Sequence, residues 1–142
     1  MKTRFILFAF IILLFTACKS KVVEEVVEKY ADGSPKVVRS FKEDDKSKVL
    51  VKEILYYPNH QKYMEGAYKN DKREGVWVSW YQNGNKWSEG EFKDGINNGY
   101  RHIYHENGNK QVKGTYKDGV KVGIWKFYDD KGNFVKEEDC SK

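Results

Sequence analysis

The residues of this chain whose side chains could act on a substrate or hold a metal are few: three histidines, two cysteines and a scatter of carboxylates. His102 and His105 lie three apart on a segment that reads as a β-strand, where side chains alternate between faces, so the two point away from each other. His60 falls in a predicted turn, and no paired metal-ligand spacing occurs anywhere. Neither a Gly-x-Ser-x-Gly elbow nor a glycine-rich phosphate loop is present. Glu65, Glu89 and Asp94 recur at a regular interval together with their neighbours, which marks a solvated face. Cys140 sits among Glu137, Glu138 and Asp139, and negative neighbours are the opposite of what activates a cysteine nucleophile. These residues predict a protein that is not an enzyme and uses no cofactor, no metal and no small-molecule substrate.

The other cysteine, Cys18, follows a different kind of segment. Lys2 and Arg4 make a basic start, and Phe5 to Phe15 is an unbroken apolar run. That run is too short for a bilayer span of ~20 residues and has the size of a signal-peptide core. Ala17-Cys18 after it resembles the lipobox of bacterial lipoproteins, with Phe15 at a position usually filled by Leu, Val or Ile. The resemblance implies cleavage before Cys18, acylation of Cys18 and a place on a membrane of the bacterial cell envelope. It also leaves Cys140 without a partner in the chain.

The mature chain expected from this cleavage, residues 18–142, carries only 24 Leu, Ile, Val and Phe residues in 125 and a formal charge of +3. Such a low aliphatic fraction falls near the composition of disordered chains. The 10 Tyr and 4 Trp, all beyond residue 29, take the place of the missing aliphatics. This balance excludes a Leu-rich helical bundle, a polytopic membrane protein and a disulfide scaffold.

What positions the aromatics is a repeat of 24 residues. Tyr56, Trp80, Tyr104 and Tyr128 share that spacing, as do Gly66, Gly90 and Gly114, then Gly75, Gly99 and Gly123, then Gly84, Gly108 and Gly132. Gly95 and Gly119 form a further column, and Gly33 opens an earlier, degenerate unit. Lys69, Lys93 and Lys117 keep the same step. Each unit reads as two short strands and two turns. Asn83-Gly84 and Asn107-Gly108 predict type I′ hairpin turns, with looser turns at Asn59-His60 and Lys131-Gly132. The segment from Asp94 to Gly99 is expected to turn the chain before a strand at Tyr100 to His105. Glycine about every eight residues would cost a helix ~1 kcal/mol each. Val22, Val23, Val26, Val27 and Tyr30 have helical spacing, but four β-branched residues entering a turn favour a strand there too.

Glu65-Gly66-Ala67-Tyr68-Lys69, Glu89-Gly90-Glu91-Phe92-Lys93 and Lys113-Gly114-Thr115-Tyr116-Lys117 resemble MORN repeats, in particular the bacterial variant. Gly75-Val76-Trp77 and Gly123-Ile124-Trp125 complete the pattern, and Gly99-Tyr100-Arg101 departs from it at the Trp. The resemblance implies an all-β fold, an elongated single-layer antiparallel β-meander of hairpin repeats. Many exported and cytoplasmic proteins with this variant are grouped as YwqK-family antitoxins of toxin–antitoxin systems, so the resemblance also implies a toxin as a candidate partner.

The expected organisation is a signal peptide over 1–17, a lipidated N-terminus with a linker or first strand over 18–29, repeats over 30–138 and a tail over 139–142. The aromatic columns are expected first as a structural ladder and second as a binding surface, with Trp77, Trp80, Trp87, Tyr104, Trp125 and Tyr128 as its candidates. A protein partner fits this surface. Lys69, Lys93 and Lys117 along one edge would suit an anionic membrane or simply protect that edge. Nucleic acid is not expected: acidic residues nearly balance the bases and export removes the chain from it. The function read from the sequence is thus a lipid-anchored binding scaffold, with an antitoxin or immunity protein as the alternative.

Overall fold

The computed structural model describes residues 20–141. Ten antiparallel strands form one open sheet, in an order that follows the chain from β1 to β10. They are β1 (Lys21–Lys29), β2 (Pro35–Glu43), β3 (Lys48–Tyr56), β4 (Lys62–Lys69), β5 (Lys72–Trp80), β6 (Lys86–Lys93), β7 (Ile96–Tyr104), β8 (Lys110–Lys117), β9 (Val120–Tyr128) and β10 (Phe134–Asp139). The β-branched stretch at Val22–Val27 is a strand, as expected, paired to β2 from Lys21↔Glu43 to Lys29↔Pro35.

From β3 onward two kinds of turn alternate along the ribbon, and they exchange the places the sequence predicts for them. The tight two-residue turns are Asn70-Asp71, Asp94-Gly95 and Asp118-Gly119. Both residues of each have positive φ, for example 51° and 85° at Asp94-Gly95, and the flanking Lys93 and Ile96 pair directly. That is the type I′ geometry, whose twist matches the strands it joins. The turn is therefore over by Gly95, and Ile96 to Gly99, expected as loop, already belong to β7.

Asn83-Gly84 and Asn107-Gly108 are not type I′ turns. Gly84 N–H donates to the Tyr81 carbonyl at 3.0 Å, Tyr81 N–H donates to the Asn85 carbonyl at 2.8 Å, and only Gly84 of the pair has positive φ, at 87°. This is a type I turn followed by a left-handed residue, the three-residue hairpin loop. Gly33, His60, Gly108 and Gly132 occupy the same position with φ from 65° to 89°. The turns at Asn59-His60 and Lys131-Gly132 are thus built like the others and are not looser. Pro58 takes the second position of its turn, where a fixed φ near −65° suits type I geometry.

Each turn of this second kind is tied to the next. The Tyr30 hydroxyl donates to the Tyr56 carbonyl at 2.6 Å, Tyr57 to Trp80 at 2.9 Å and Tyr81 to Tyr104 at 2.8 Å, while His105 Nε2 contacts the Tyr128 carbonyl at 3.0 Å. Asn59, Asn83 and Asn107 amides donate to the Gln82, Glu106 and Asp130 carbonyls. One edge of the ribbon is therefore a ladder of side-chain bonds to main-chain oxygens, each worth ~1 kcal/mol.

With one layer, burial has to come from the sheet's own faces. The buried apolar side chains among the described residues are Val37, Ile54, Trp77, Val112 and Trp125. Register places Val37, Trp77, Val112 and Trp125 on one face, hereafter the groove face, together with the buried Ser79 and Ser88. The opposite face carries Val38, Ile54, Glu65, Glu89 and His102.

Candidate binding groove

The groove face is shaped by a bulge that recurs once per repeat. Between the pairs Glu65↔Val78 and Ala67↔Glu74, β4 spends one residue, Gly66, while β5 spends three, Gly75 to Trp77. The same happens at Gly114 against Gly123 to Trp125, and in β6–β7 the bulge falls one residue along, Glu91 against Asn98 to Tyr100 after the pair Gly90↔Arg101. Gly75 and Gly123 open their bulges with φ of 70° and 62°, which is what a bulge of this kind asks of its first residue, and Gly99, inside its bulge, has φ 123°. Two of the glycine columns are thereby explained: one makes the bulge, the other makes room for what the bulge turns inward.

Trp77 and Trp125 are what it turns inward. A Cβ on Gly66 would lie within 2.3 Å of two Trp77 ring carbons, and one on Gly114 equally close to Trp125. Each indole thus lies flat on a glycine of the neighbouring strand. Tyr68 packs edge-on against Trp77 at 5.3 Å between ring centres, and Tyr116 against Trp125 at 5.0 Å. A cation covers the outer side of each: the Arg73 guanidinium 4.1 Å from the Trp77 ring, the Lys121 ammonium 4.5 Å from the Trp125 ring. Desolvated cation–π contacts of this kind contribute ~1–2 kcal/mol. With glycine below and a cation above, Trp77 is 3 % exposed and Trp125 2 %.

The unit between them has no tryptophan. Arg101 stands in that column, with its side chain over Gly90 and a weak 3.4 Å contact to the Ser88 hydroxyl, which is itself 2.8 Å from the Ser79 hydroxyl. Half-buried here, the guanidinium is pulled below its ordinary pKa by desolvation. Replacing an indole by a guanidinium leaves a groove of about 530 Å³ running across β4 to β9, lined by Phe92, Ile103, Val112 and Phe127 as well as by Arg73, Arg101 and Lys121. No carboxylate lines it.

The six aromatics expected as one surface divide between two faces. Trp77 and Trp125 are on the groove face and buried under their cations. Trp87, 38 % exposed, sits where β6 bulges and reaches the groove. Trp80, Tyr104 and Tyr128 are on the other face, each with a lysine over its ring at 5.7–5.8 Å: Lys62, Lys86 and Lys113. There Glu89 accepts from Lys86 at 2.6 Å and Tyr104 at 2.7 Å and contacts His102 Nδ1 at 3.2 Å. Burial pushes the Glu89 carboxyl up, but the bonds from Lys86, Tyr104 and His102 outweigh it and hold the pKa at about 2. Tyr104 is pushed up by burial and by its bond to Glu89.

Lys69, Lys93 and Lys117 are exposed and adjoin the tight turns, so they do share one edge. Asp71, Asp94 and Asp118 of those turns interleave with them. His102 lies in a strand and His105 in a turn. Among the described residues no group of three His, Cys, Asp or Glu could hold a metal. Cys140 is a free, half-buried thiol whose N–H donates to the Gly123 carbonyl, and Cys18 lies outside the described residues.

Sequence reasoning singled out the glycine columns but not Arg73, Lys121 or the Tyr57–Tyr81–His105 staple. The signal was available for all three: 73 and 121 are two repeats apart, and 57, 81 and 105 keep the 24-residue step. Residues 73–94 and 98–118 match the family model of the MORN repeat variant. Over those residues the chain is similar to MORN repeats. The two matched stretches cover β5–β6 and most of β7–β8, and each holds one bulge glycine and one covered glycine. In β8–β9 the geometry of Gly66, Gly75 and Trp77 recurs at Gly114, Gly123 and Trp125. No curated protein and no solved structure matches the chain.

Proposed function

We propose that this protein is a non-catalytic, lipid-anchored scaffold of the bacterial envelope that presents the groove face of its MORN sheet to a protein partner. The observation that carries the reading is the groove itself: a half-open, 530 Å³ channel of aromatic, aliphatic and cationic side chains across successive repeats. Repeat sheets characteristically use an extended face of this sort for binding, and pockets of mixed apolar and convergent polar character are the default binding sites of a fold. The anchor rests on Ala17-Cys18 after the apolar run.

Two measurements test it. Metabolic labelling with a fatty acid is expected to mark the wild-type chain and not Cys18→Ser; an unlabelled wild type removes the anchor from the proposal. Co-purification from envelope extracts is expected to yield one stoichiometric protein that Trp87→Ala, in the groove, loses and that Val76→Ser, on the opposite face, keeps. Retention by both variants would contradict the groove as the binding surface. The YwqK-type resemblance supplies the specific alternative, an antitoxin masking a toxin with the same face. It is favoured if the captured protein is small, encoded beside this chain and toxic when the chain is deleted.

A further inference from the structure

The lining of the groove is regular in a way that specifies more than a protein partner. Arg101 of β7 starts four residues further along its strand than Arg73 of β5 and Lys121 of β9 do along theirs. Arg73 nonetheless reaches Met64 at 3.8 Å and Arg101 reaches Ser88 at 3.4 Å. Met64 and Ser88 are residues of one cross-strand row that are two strands apart, about 10 Å at the usual ~4.8 Å strand spacing. Two of the three are held from below by an indole ring, and Arg101 by the serine hydroxyl at its side. None of the three forms an ion pair among the described residues, whereas Arg39, the other described arginine, is paired with Glu53 at 2.7 Å. Lys121 senses the Glu138 carboxylate, which is itself bonded to Lys136. Nearby Glu53 is taken up by Arg39 and Tyr68, and Glu91 by the Tyr100 N–H.

We propose that the groove is a docking site for an acidic segment of the partner protein, in polyproline II conformation, whose carboxylates at every third residue meet Arg73, Arg101 and Lys121. This deepens the scaffold reading and rests on it. A polyproline II chain advances ~3.1 Å per residue with three residues per turn. Every third side chain therefore returns to the same side after ~9.3 Å, the step of the cation row. Guanidinium groups suit carboxylates because their fork of N–H donors matches two oxygens at once. Phe92, Ile103 and Phe127 line the groove beside the cations and would meet the intervening side chains, as aromatic grooves do for such chains. A bilayer is the poorer occupant: a flat anionic surface reaches a row of exposed lysines, but not a half-buried guanidinium on a groove floor.

Arg101 is also the residue at which the repeat breaks its own rule, and that supplies the test. Random heptapeptides displayed on phage are selected against the full mature chain, against Arg101→Gln and against Arg101→Trp, which restores the indole found one repeat to either side. The wild type is expected to enrich Asp or Glu three residues apart. A synthetic peptide of the enriched sequence is expected to bind about tenfold or more weakly to Arg101→Gln, the loss of one charge-assisted contact, and more weakly as salt rises. Arg101→Trp is expected to lose the peptide while melting at the wild-type temperature or above, since the ring would cover Gly90 as Trp77 covers Gly66. The proposal is overturned if no peptide is enriched, if the enriched ones lack the acidic spacing, or if both variants bind them as the wild type does. It is equally overturned if vesicles of phosphatidylglycerol bind in an Arg101-dependent way and peptides do not. Envelope capture that Trp87→Ala abolishes but Arg101→Gln leaves intact would keep the scaffold reading and end this one; failure of both variants to alter capture would end the scaffold reading as well.

Discussion

Glu89 is held by three side chains of its own face, with 16 % of its side chain exposed. Its equivalent one repeat earlier, Glu65, is bonded by Lys62 and Lys52, and one repeat later the position is Lys113, which lies over Tyr128. Because the Glu89 pKa is about 2 in the folded chain and ~4.3 in an unfolded one, the charged form is favoured by folding. Its contribution is complete above ~4.3 and disappears as pH falls toward 2. Glu89→Gln is therefore expected to lower the melting temperature at pH 7 and to melt progressively more like the wild type as pH drops from 5 to 2, read by circular dichroism. The two tryptophans also differ in the hydrogen bonding of Nε1. Trp77 Nε1 donates to the Ala67 carbonyl at 3.1 Å, whereas Trp125 Nε1 is buried with no partner among the described residues. Trp77→Phe should thus cost ~1 kcal/mol more than Trp125→Phe in a urea melt, because only the first gives up a bond.

At the scale of strands and turns, covered glycines are the stringent positions. A methyl group on Gly114 meets the buried Trp125 ring at 2.2 Å, whereas on Gly90 it meets the flexible Arg101 side chain at 2.9 Å and the Tyr100 carbonyl at 3.1 Å. Gly114→Ala is expected to destabilise by a few kcal/mol, as overpacking does, and Gly90→Ala by clearly less; equal thermal shifts would mean that the indole does not rest on Gly114. The period, the strand pairs and the all-β class were legible because each hairpin must reuse the same backbone solutions in the same places. The kind of solution was not legible. Asn-Gly satisfies both a type I′ turn and the end of a type I turn with a left-handed residue, and loop length decides between them only once the strand ends are known. A glycine column likewise reads the same whether it makes a turn, as at Gly84, or a bulge, as at Gly75. The groove was hidden for a related reason: Arg101 looks like one imperfect match until the bulge sets Trp77 and Trp125 on either side of it.

Over the whole sheet, each strand pairs only with its sequence neighbours, so stability is close to a sum along the ribbon. The end strands β1 and β10 have one neighbour each, and Val22, Phe134 and Val135 are largely exposed there. Amide hydrogen exchange should accordingly be slowest in β5 to β9 and faster in β1 and β10; uniform protection would indicate a cooperative unit larger than the repeat. The same linear construction puts one continuous groove across several repeats, the extended surface that the proposed binding function uses. The most direct test is photo-crosslinking in the living cell, with a photoreactive amino acid in place of Trp87 in the groove or Val76 on the opposite face. The account predicts one discrete protein adduct from position 87 and none from position 76. An adduct from 76 with none from 87 would contradict it.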